Sequence, residues 1–287
     1  MIVDAHHHIW RRADLAWLNG PMLPRIFGSY EPIRRDYLAR EYAEQARAAG
    51  IGQSVYVQAN WPLERSLDEV RWVQSQHDET GWPHAIVGSA DLFSPDAVHT
   101  LEAQAEASPL MRGTRQQLHW HANEQYRYAS APDRMHDPVF RENVARLAAL
   151  DWVFELQVFA PQFADAAELV ADHPDVTFVL IHAGMPEGDL DAWRAGLEAH
   201  LAPLPNLAVK LSGQGTFIHR VDPGLIGLVA RTSLDLFGPD RCMFGSNFPI
   251  ESLWTDLGAL VGAWRAVLPE EALSSTARRI YRLQGAP

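Results

Sequence analysis

Eight short runs rich in valine, isoleucine, leucine and phenylalanine recur along the chain, separated by longer segments with helical periodicity. This alternation constrains the fold more than any other feature. The runs fall at residues 2–6, 54–58, 85–90, 111–116, 153–158, 176–182, 208–212 and 242–246. Strands separated by helices pair in parallel through right-handed crossovers, since a parallel pair cannot be joined by a tight turn. Several helix starts are legible. Asp137-Pro138 and Asp222-Pro223 each set a capping carboxylate before a proline at the first helical position. Phe140, Val144 and Leu147 then mark one buried face with Asp151 as its polar exit, and Leu225, Ile226 and Val229 follow the second proline. Asp189 opens another helix with Leu190, Trp193, Leu197 and Leu201 on its stripe. The last helix carries Glu270 and Glu271 at its start and Arg278, Arg279 and Arg282 toward its end, complementing the helix dipole. No Gly-x-Gly-x-x-Gly follows the first run, and 287 residues suit a closed barrel with insertions. The expected architecture is one (β/α)8 TIM barrel domain over residues 1–287, with an open doubly wound sheet as the alternative.

Two connections are too long for plain turns. Residues 9–36 hold Trp10, Trp17, Phe27 and Tyr30, and residues 117–136 hold His119, Trp120, His121, Tyr126 and Tyr128. Aromatic content of this kind argues for order, and both loops follow strands, on the face where barrels carry their chemistry. They are expected to roof a site.

Composition limits the partners. The formal charge of −12 argues against nucleic acid or an anionic membrane, while leaving an anionic small substrate open. A single cysteine, Cys242, excludes an internal disulfide and is compatible with a reducing compartment. No apolar run approaches the roughly 20 residues of a membrane span. The chain enters its first strand without a signal peptide, and His6-His7-His8 is too short for a tag, so the expected location is the cytoplasm. An assembly of identical chains stays open, although ten tryptophans are more simply core and pocket lining.

Polar residues gather at the ends of the runs. In Asp4-Ala5-His6-His7-His8, period-two alternation sets His6 and His8 on one side. Two imidazoles there could bind Zn²⁺, could donate to a substrate carboxylate or carbonyl, or could be a polar strand end. His182 closes the sixth run before a loop punctuated by glycine and proline. Gln58 and Asn60 end the second, Arg115 and Gln117 the fourth, Gln157 the fifth, and Asn247 follows the eighth. Arg112 and Arg115 fall on opposite faces, and Arg115 is taken as the inward one. Lys210 and Ser212 share a face of the seventh. A lysine inside a barrel needs an anion, so Lys210 either pairs with Asp4 or Glu155 or binds substrate.

Asp4-Ala-His6-His-His8-Ile-Trp10, Val57-Gln58-Ala59, Arg112-Gly-Thr-Arg115-Gln, Leu156-Gln157-Val158, His182-Ala-Gly-Met-Pro186, Val209-Lys210-Leu-Ser212-Gly213 and Phe244-Gly-Ser-Asn247-Phe-Pro249 occur in this order along the full length. Together they resemble the amidohydrolase superfamily. The branch they resemble is that of the lactonases, which includes 2-pyrone-4,6-dicarboxylate lactonases and sugar-lactone hydrolases such as L-fuconolactonases. The resemblance implies a (β/α)8 barrel that hydrolyses a small ester or lactone. The first-strand histidines, a later histidine and a strand-eight aspartate would surround the carbonyl, with a metal in some branches and none in others.

The chain departs from that pattern where the usual Gly-Ser-Asp-Trp-Pro reads Gly245-Ser246-Asn247-Phe248-Pro249. An amide neither accepts a proton near neutral pH nor offers a metal an anionic ligand. The catalytic set expected is therefore His6, His8, His182 and Asn247, with His182 first among the bases and His6, His8 and Glu251 behind it. Arg115, Lys210 or a metal would stabilise the oxyanion, and Arg115, Gln58, Gln157, Trp120 and Asn60 would orient the substrate. Two cofactor readings stand side by side: one divalent metal such as Zn²⁺ on His6, His8 and His182, and metal-free hydrolysis. The competing functions are a metal-dependent decarboxylase of an aromatic acid and a non-catalytic barrel that binds a small carboxylate or lactone.

Overall fold

The computed structural model describes residues 1–284. Its eight strands are β1 (Ile2–His7), β2 (Ile51–Val57), β3 (Ala85–Gly88), β4 (Met111–Arg115), β5 (Val153–Leu156), β6 (Phe178–Leu180), β7 (Leu207–Leu211) and β8 (Cys242–Phe244). They form one sheet in sequence order, and every neighbouring pair is parallel. The ring closes just beyond the strand ends, where Asn247 N–H donates to His6 O at 2.7 Å and His8 N–H to Phe248 O at 2.7 Å. This is the expected TIM barrel, with helices between consecutive strands.

The capping signals do what their chemistry requires. The Asp137 carboxylate accepts from the Val139 and Phe140 amides, Asp189 from those of Asp191 and Ala192, and Asp222 from that of Leu225. Phe140, Val144 and Leu147 are buried, as are Trp193, Leu197 and Leu201. Asp151 leaves the helix in the left-handed region at φ 54°. The C-terminal helix is unbroken but changes its winding. It runs as a π-type turn Glu271–Ser275 and a helix Thr276–Ile280, and Arg282 lies beyond it.

That C-terminal segment plugs the barrel's lower end. Ala277, Ile280, Tyr281 and Leu283 pack with the inward side chains Val3, Val55, Ala85 and Val153. Polar clamps at the strand starts hold the plug: Gln53 Nε2 donates to Gln284 O and Arg112 Nε to Tyr281 O. Above it, Lys210 reaches Glu155 Oε1 at 2.5 Å, and Tyr281 OH donates to the same oxygen at 2.7 Å. Lys210 thus takes the Glu155 partner, one layer below the mouth.

Strand β1 carries an irregularity that sets the site. Val3 and Ala5 point into the barrel, so strict alternation would send His7 inward with them. A register shift between Asp4 and His7 opposes one extra residue to β2. His6 and His8 therefore turn inward, and His7 turns outward to stack on Tyr42 with ring centroids 3.7 Å apart. Outward-facing Asp4 locks the shift, accepting from Ser246 N at 2.8 Å, Ser246 Oγ at 2.5 Å, His6 N at 3.0 Å and Tyr42 OH at 2.8 Å.

The candidate active site

A cavity of about 220 Å³ opens at the C-terminal ends of the strands. Both long loops border it, the first through Trp10, Trp17 and Phe27, the second through His119 and Tyr126. They meet where Gln125 Nε2 donates to Arg25 O at 2.7 Å. The expected roof is in place.

His8, His182, Asn247, Arg115, Gln157 and Asn60 reach the cavity wall. His6 lies just beneath, its ring centroid 4.8 Å from that of His182 and 5.1 Å from that of His8. β6 ends at Leu180, shorter than the expected 176–182, because His182, Ala183, Gly184 and Met185 all enter the left-handed region. This tight left-handed turn aims His182 into the barrel instead of continuing the strand. His182 Nδ1 meets Ser212 Oγ at 2.8 Å. Gly213 must be glycine there: its φ is +69°, and a Cβ would lie 2.7 Å from His182 Nδ1.

Three residues expected to contact substrate are not on the cavity wall. Gln58 turns back on the chain, its Oε1 accepting from Asn60 N at 2.6 Å and its carbonyl from Arg115 at 2.6 Å; it orients Arg115. Trp120 is off the cavity wall, with the Arg127 guanidinium 4.8 Å above its ring. Lys210 is sealed below with Glu155. His119 stands where Trp120 was expected. The signal was present, because Arg115, Gln117 and His119 continue the period-two face of β4 past its end, and position 120 is out of phase.

Burial governs the electrostatics. It drives the pKa of His6 and His182 well below the ordinary histidine range, helped chiefly by Lys210 for His6 and by Arg115 for His182. His8 and His119 are pushed down to about 3 by burial and Arg115. All four are neutral at pH 7. Since Val57 O can only accept, His8 Nδ1 carries the proton it donates at 2.7 Å, which leaves Nε2 as an acceptor. Arg115 keeps its charge in a buried position, and its Nε has no hydrogen-bond partner among the described residues. Glu251 is not free to swing into the cavity. It is buried, Trp254 Nε1 donates to its Oε2 at 2.7 Å, and burial raises its pKa to about 8.

Three imidazoles thus gather at one place, but the donor set does not fit a resident metal. Among the described residues no group of three or more His, Cys, Asp or Glu side chains is placed to hold a metal ion. Asn247 adds a neutral amide where a carboxylate would offset a dication's charge.

The fold and the arrangement at its mouth define a class, and the comparisons with known proteins give it a family. The amidohydrolase family model matches residues 3–283, and the chain belongs to that family. The chain is 32% identical over 312 residues to an L-fucono-1,5-lactonase from Burkholderia multivorans, spanning 98% of this chain and 96% of that protein. An amidohydrolase from Burkholderia multivorans, solved with bound HEPES and in another crystal form with bound zinc, superposes with a TM-score of 0.80 at 30% identity, covering 99% of this chain and 100% of that one. An amidohydrolase 2 from Bifidobacterium longum subsp. infantis shares the fold, with a TM-score of 0.71 at 24% identity over 99% of both chains. No helix of the described residues is long and apolar enough to cross a membrane.

Proposed function

We propose that this chain opens a small lactone or related cyclic carboxylic ester by water attack on its carbonyl. The observation that carries the reading is the buried Arg115, with an unpartnered Nε, on one cavity wall with the neutral imidazoles of His8 and His182. A carbonyl oxygen lodged against Arg115 becomes an oxyanion when water adds, and a fixed guanidinium in a desolvated site stabilises that charge strongly. His182 is the base: with Ser212 on Nδ1, its Nε2 is left to take the water's proton. An imidazole so acidified is a weak base in the empty site. The oxyanion formed beside it supplies the negative charge that raises its proton affinity during the step. Collapse of the tetrahedral intermediate breaks the ring C–O bond, and the proton held by His182 passes to the departing alkoxide, giving a hydroxy acid. No step is routed through a metal. The similarity to an L-fucono-1,5-lactonase supports a sugar-derived lactone as the first substrate to try. A cytoplasmic setting fits the reading.

The test is a pH-indicator hydrolysis screen over sugar γ- and δ-lactones and aromatic lactones, with and without chelator, using wild type and His182→Ala. Turnover that survives chelation and is lost in His182→Ala is expected. Turnover abolished by chelator and restored by Zn²⁺ would sink the metal-free mechanism, and binding without turnover of any lactone would sink the function.

A further inference from the structure

Glu69 is a fully buried carboxylic acid that the proposed chemistry does not use. It sits in the first turn of the helix Ser66–Thr80, which follows β2, and it is not on the cavity wall. Its Oε1 accepts two hydrogen bonds, from Tyr56 OH at 2.8 Å and from the Ala59 amide at 2.7 Å. Its Oε2 has no partner among the described residues. The Ala59 amide belongs to the same peptide unit as the Gln58 carbonyl. That carbonyl receives Arg115 Nη2 at 2.6 Å, the one hydrogen bond of this guanidinium among the described residues. The unit is trans, so its C=O and N–H point in opposite directions. Glu69 and Arg115 therefore grip opposite edges of one plane, and a rotation of that plane would break both bonds at once. No other hydrogen bond among the described residues reaches this unit. Gln58 N–H donates to Val87 O and Ala59 O accepts from Trp17 Nε1, but these belong to the neighbouring peptide units. Regular strand geometry does not hold it either. β2 ends at Val57, and Asn60 enters the left-handed region at φ 61°, where a residue with a side chain is uncommon.

We propose that Glu69 is a positioning residue that acts on Arg115 through the peptide unit 58–59. From behind the cavity wall it fixes the plane of that unit, and the Gln58 carbonyl then holds the guanidinium on the wall with its Nε unpartnered. Tyr56 keeps the carboxyl itself in place. A peptide whose N–H is held by a carboxyl oxygen is also polarised, which strengthens the bond its carbonyl accepts from Arg115. The positioning role stands on these hydrogen bonds; its kinetic test rests on the lactonase reading, in which Arg115 stabilises the oxyanion.

Glu69→Gln keeps both links, because its carbonyl oxygen can accept from Tyr56 and Ala59 while the amide nitrogen takes the unpartnered Oε2 position. Glu69→Met keeps the volume and removes the acceptor. Crystal structures of wild type and both variants read the link without any substrate. The contact of Arg115 Nη2 with Gln58 O is expected to persist at about 3 Å in wild type and Glu69→Gln and to be lost in Glu69→Met. On a hydrolysed lactone, Glu69→Gln is expected within about threefold of wild type in kcat, while Glu69→Met loses about tenfold or more. KM should change little, since the oxyanion forms only after binding. If Glu69→Met does not fold, Glu69→Asp, which withdraws the carboxyl by one methylene, must lose the contact and the kcat in the same way. A contact that survives in the broken variant, a loss expressed in KM alone, or Glu69→Gln failing as badly as Glu69→Met overturns the proposal. A wild type that opens no lactone while the structures behave as stated overturns the lactonase reading and leaves the positioning role standing.

Discussion

Replacing Lys210 by methionine isolates an ion pair sealed inside the barrel. Lys210 Nζ and Glu155 Oε1 are 2.5 Å apart and both side chains are fully buried. Among the described residues Tyr281 is the only other group hydrogen-bonded to that carboxylate, and Glu155 Oε2 has no partner. Lys210→Met therefore strands a charge among valine and alanine side chains, at a cost of about 3–5 kcal/mol. Glu155→Met strands the ammonium instead. Burial has already lowered the Lys210 pKa to about 8, so the lysine can shed its proton, and the loss should be smaller, about 2–3 kcal/mol. Together the two substitutions remove both charges and keep the volume, so the double variant should lie within about 1–2 kcal/mol of wild type. Urea unfolding of the four proteins at pH 7 gives the coupling energy, expected at about 3 kcal/mol or more. The double variant also separates two roles for Lys210. If the lysine only balances Glu155, lactone turnover survives within a few-fold. A stable but inactive double variant would show that Lys210 touches substrate, and a Lys210→Met loss under about 1 kcal/mol would refute the pair's energetic role.

Three further outcomes follow from the same contacts. Six histidines (His6, His7, His8, His84, His119 and His182) have lowered pKa values, so below pH 6.5 the unfolded chain binds more protons than the native one. Each lends stability that is full above pH 6.5 and falls by about 2 kcal/mol from pH 7 to 5. Glu251 and Glu69, raised by burial to about 8 and about 7, and Asp4, also raised by burial, act in the opposite sense, but the six histidines outnumber these three. The urea midpoint should therefore drop on acidification to pH 5, and a midpoint that rises would refute this balance. Gly213→Ala should cost about 1–2 kcal/mol in left-handed strain and displace His182 from Ser212, reducing kcat about tenfold; an unchanged kcat would separate His182 from the chemistry. Asp4→Ala leaves four donors without their acceptor where β8 closes on β1 and should lower Tm by about 5–10 °C, measured by calorimetry.

The order of strands and helices was legible because periodicity and capping are local. Asp137-Pro138 and Asp222-Pro223 need nothing beyond a few residues to act as helix starts. What escaped the sequence depends on groups brought from far along the chain. The side shared by His6 and His8 was read correctly, yet the alternation that supports it breaks within the same strand. The register shift is held by Tyr42 and Ser246, 38 and 242 residues from Asp4. The end of β6 was placed too late, because Ile181 and His182 read as a continuing apolar strand until Gly213 and Ser212 arrive across the barrel to receive a left-handed turn. Trp120 was named as a substrate contact, whereas His119, in phase with Arg115 and Gln117 beyond the end of β4, is the residue on the cavity wall.

The layers of the barrel interior link these details to the proposed chemistry. From the apolar plug upward come the Lys210–Glu155 pair, then His6, then the wall formed by His8, His182 and Arg115. Lys210 and Arg115 each disfavour a proton on His6, His8 and His182. Read alone, this makes the imidazoles poor bases. Lys210 is offset by Glu155, but the Arg115 guanidinium on the cavity wall, in the same low dielectric, also lowers the energy of any negative charge that develops at the mouth, and the oxyanion of ester hydrolysis is such a charge. A site that resists an imidazolium when empty will accept one once an oxyanion stands beside it. Proton transfer from water to His182 is then favoured when the carbonyl carbon is attacked and disfavoured otherwise, which ties the base's strength to the transition state rather than to the resting enzyme.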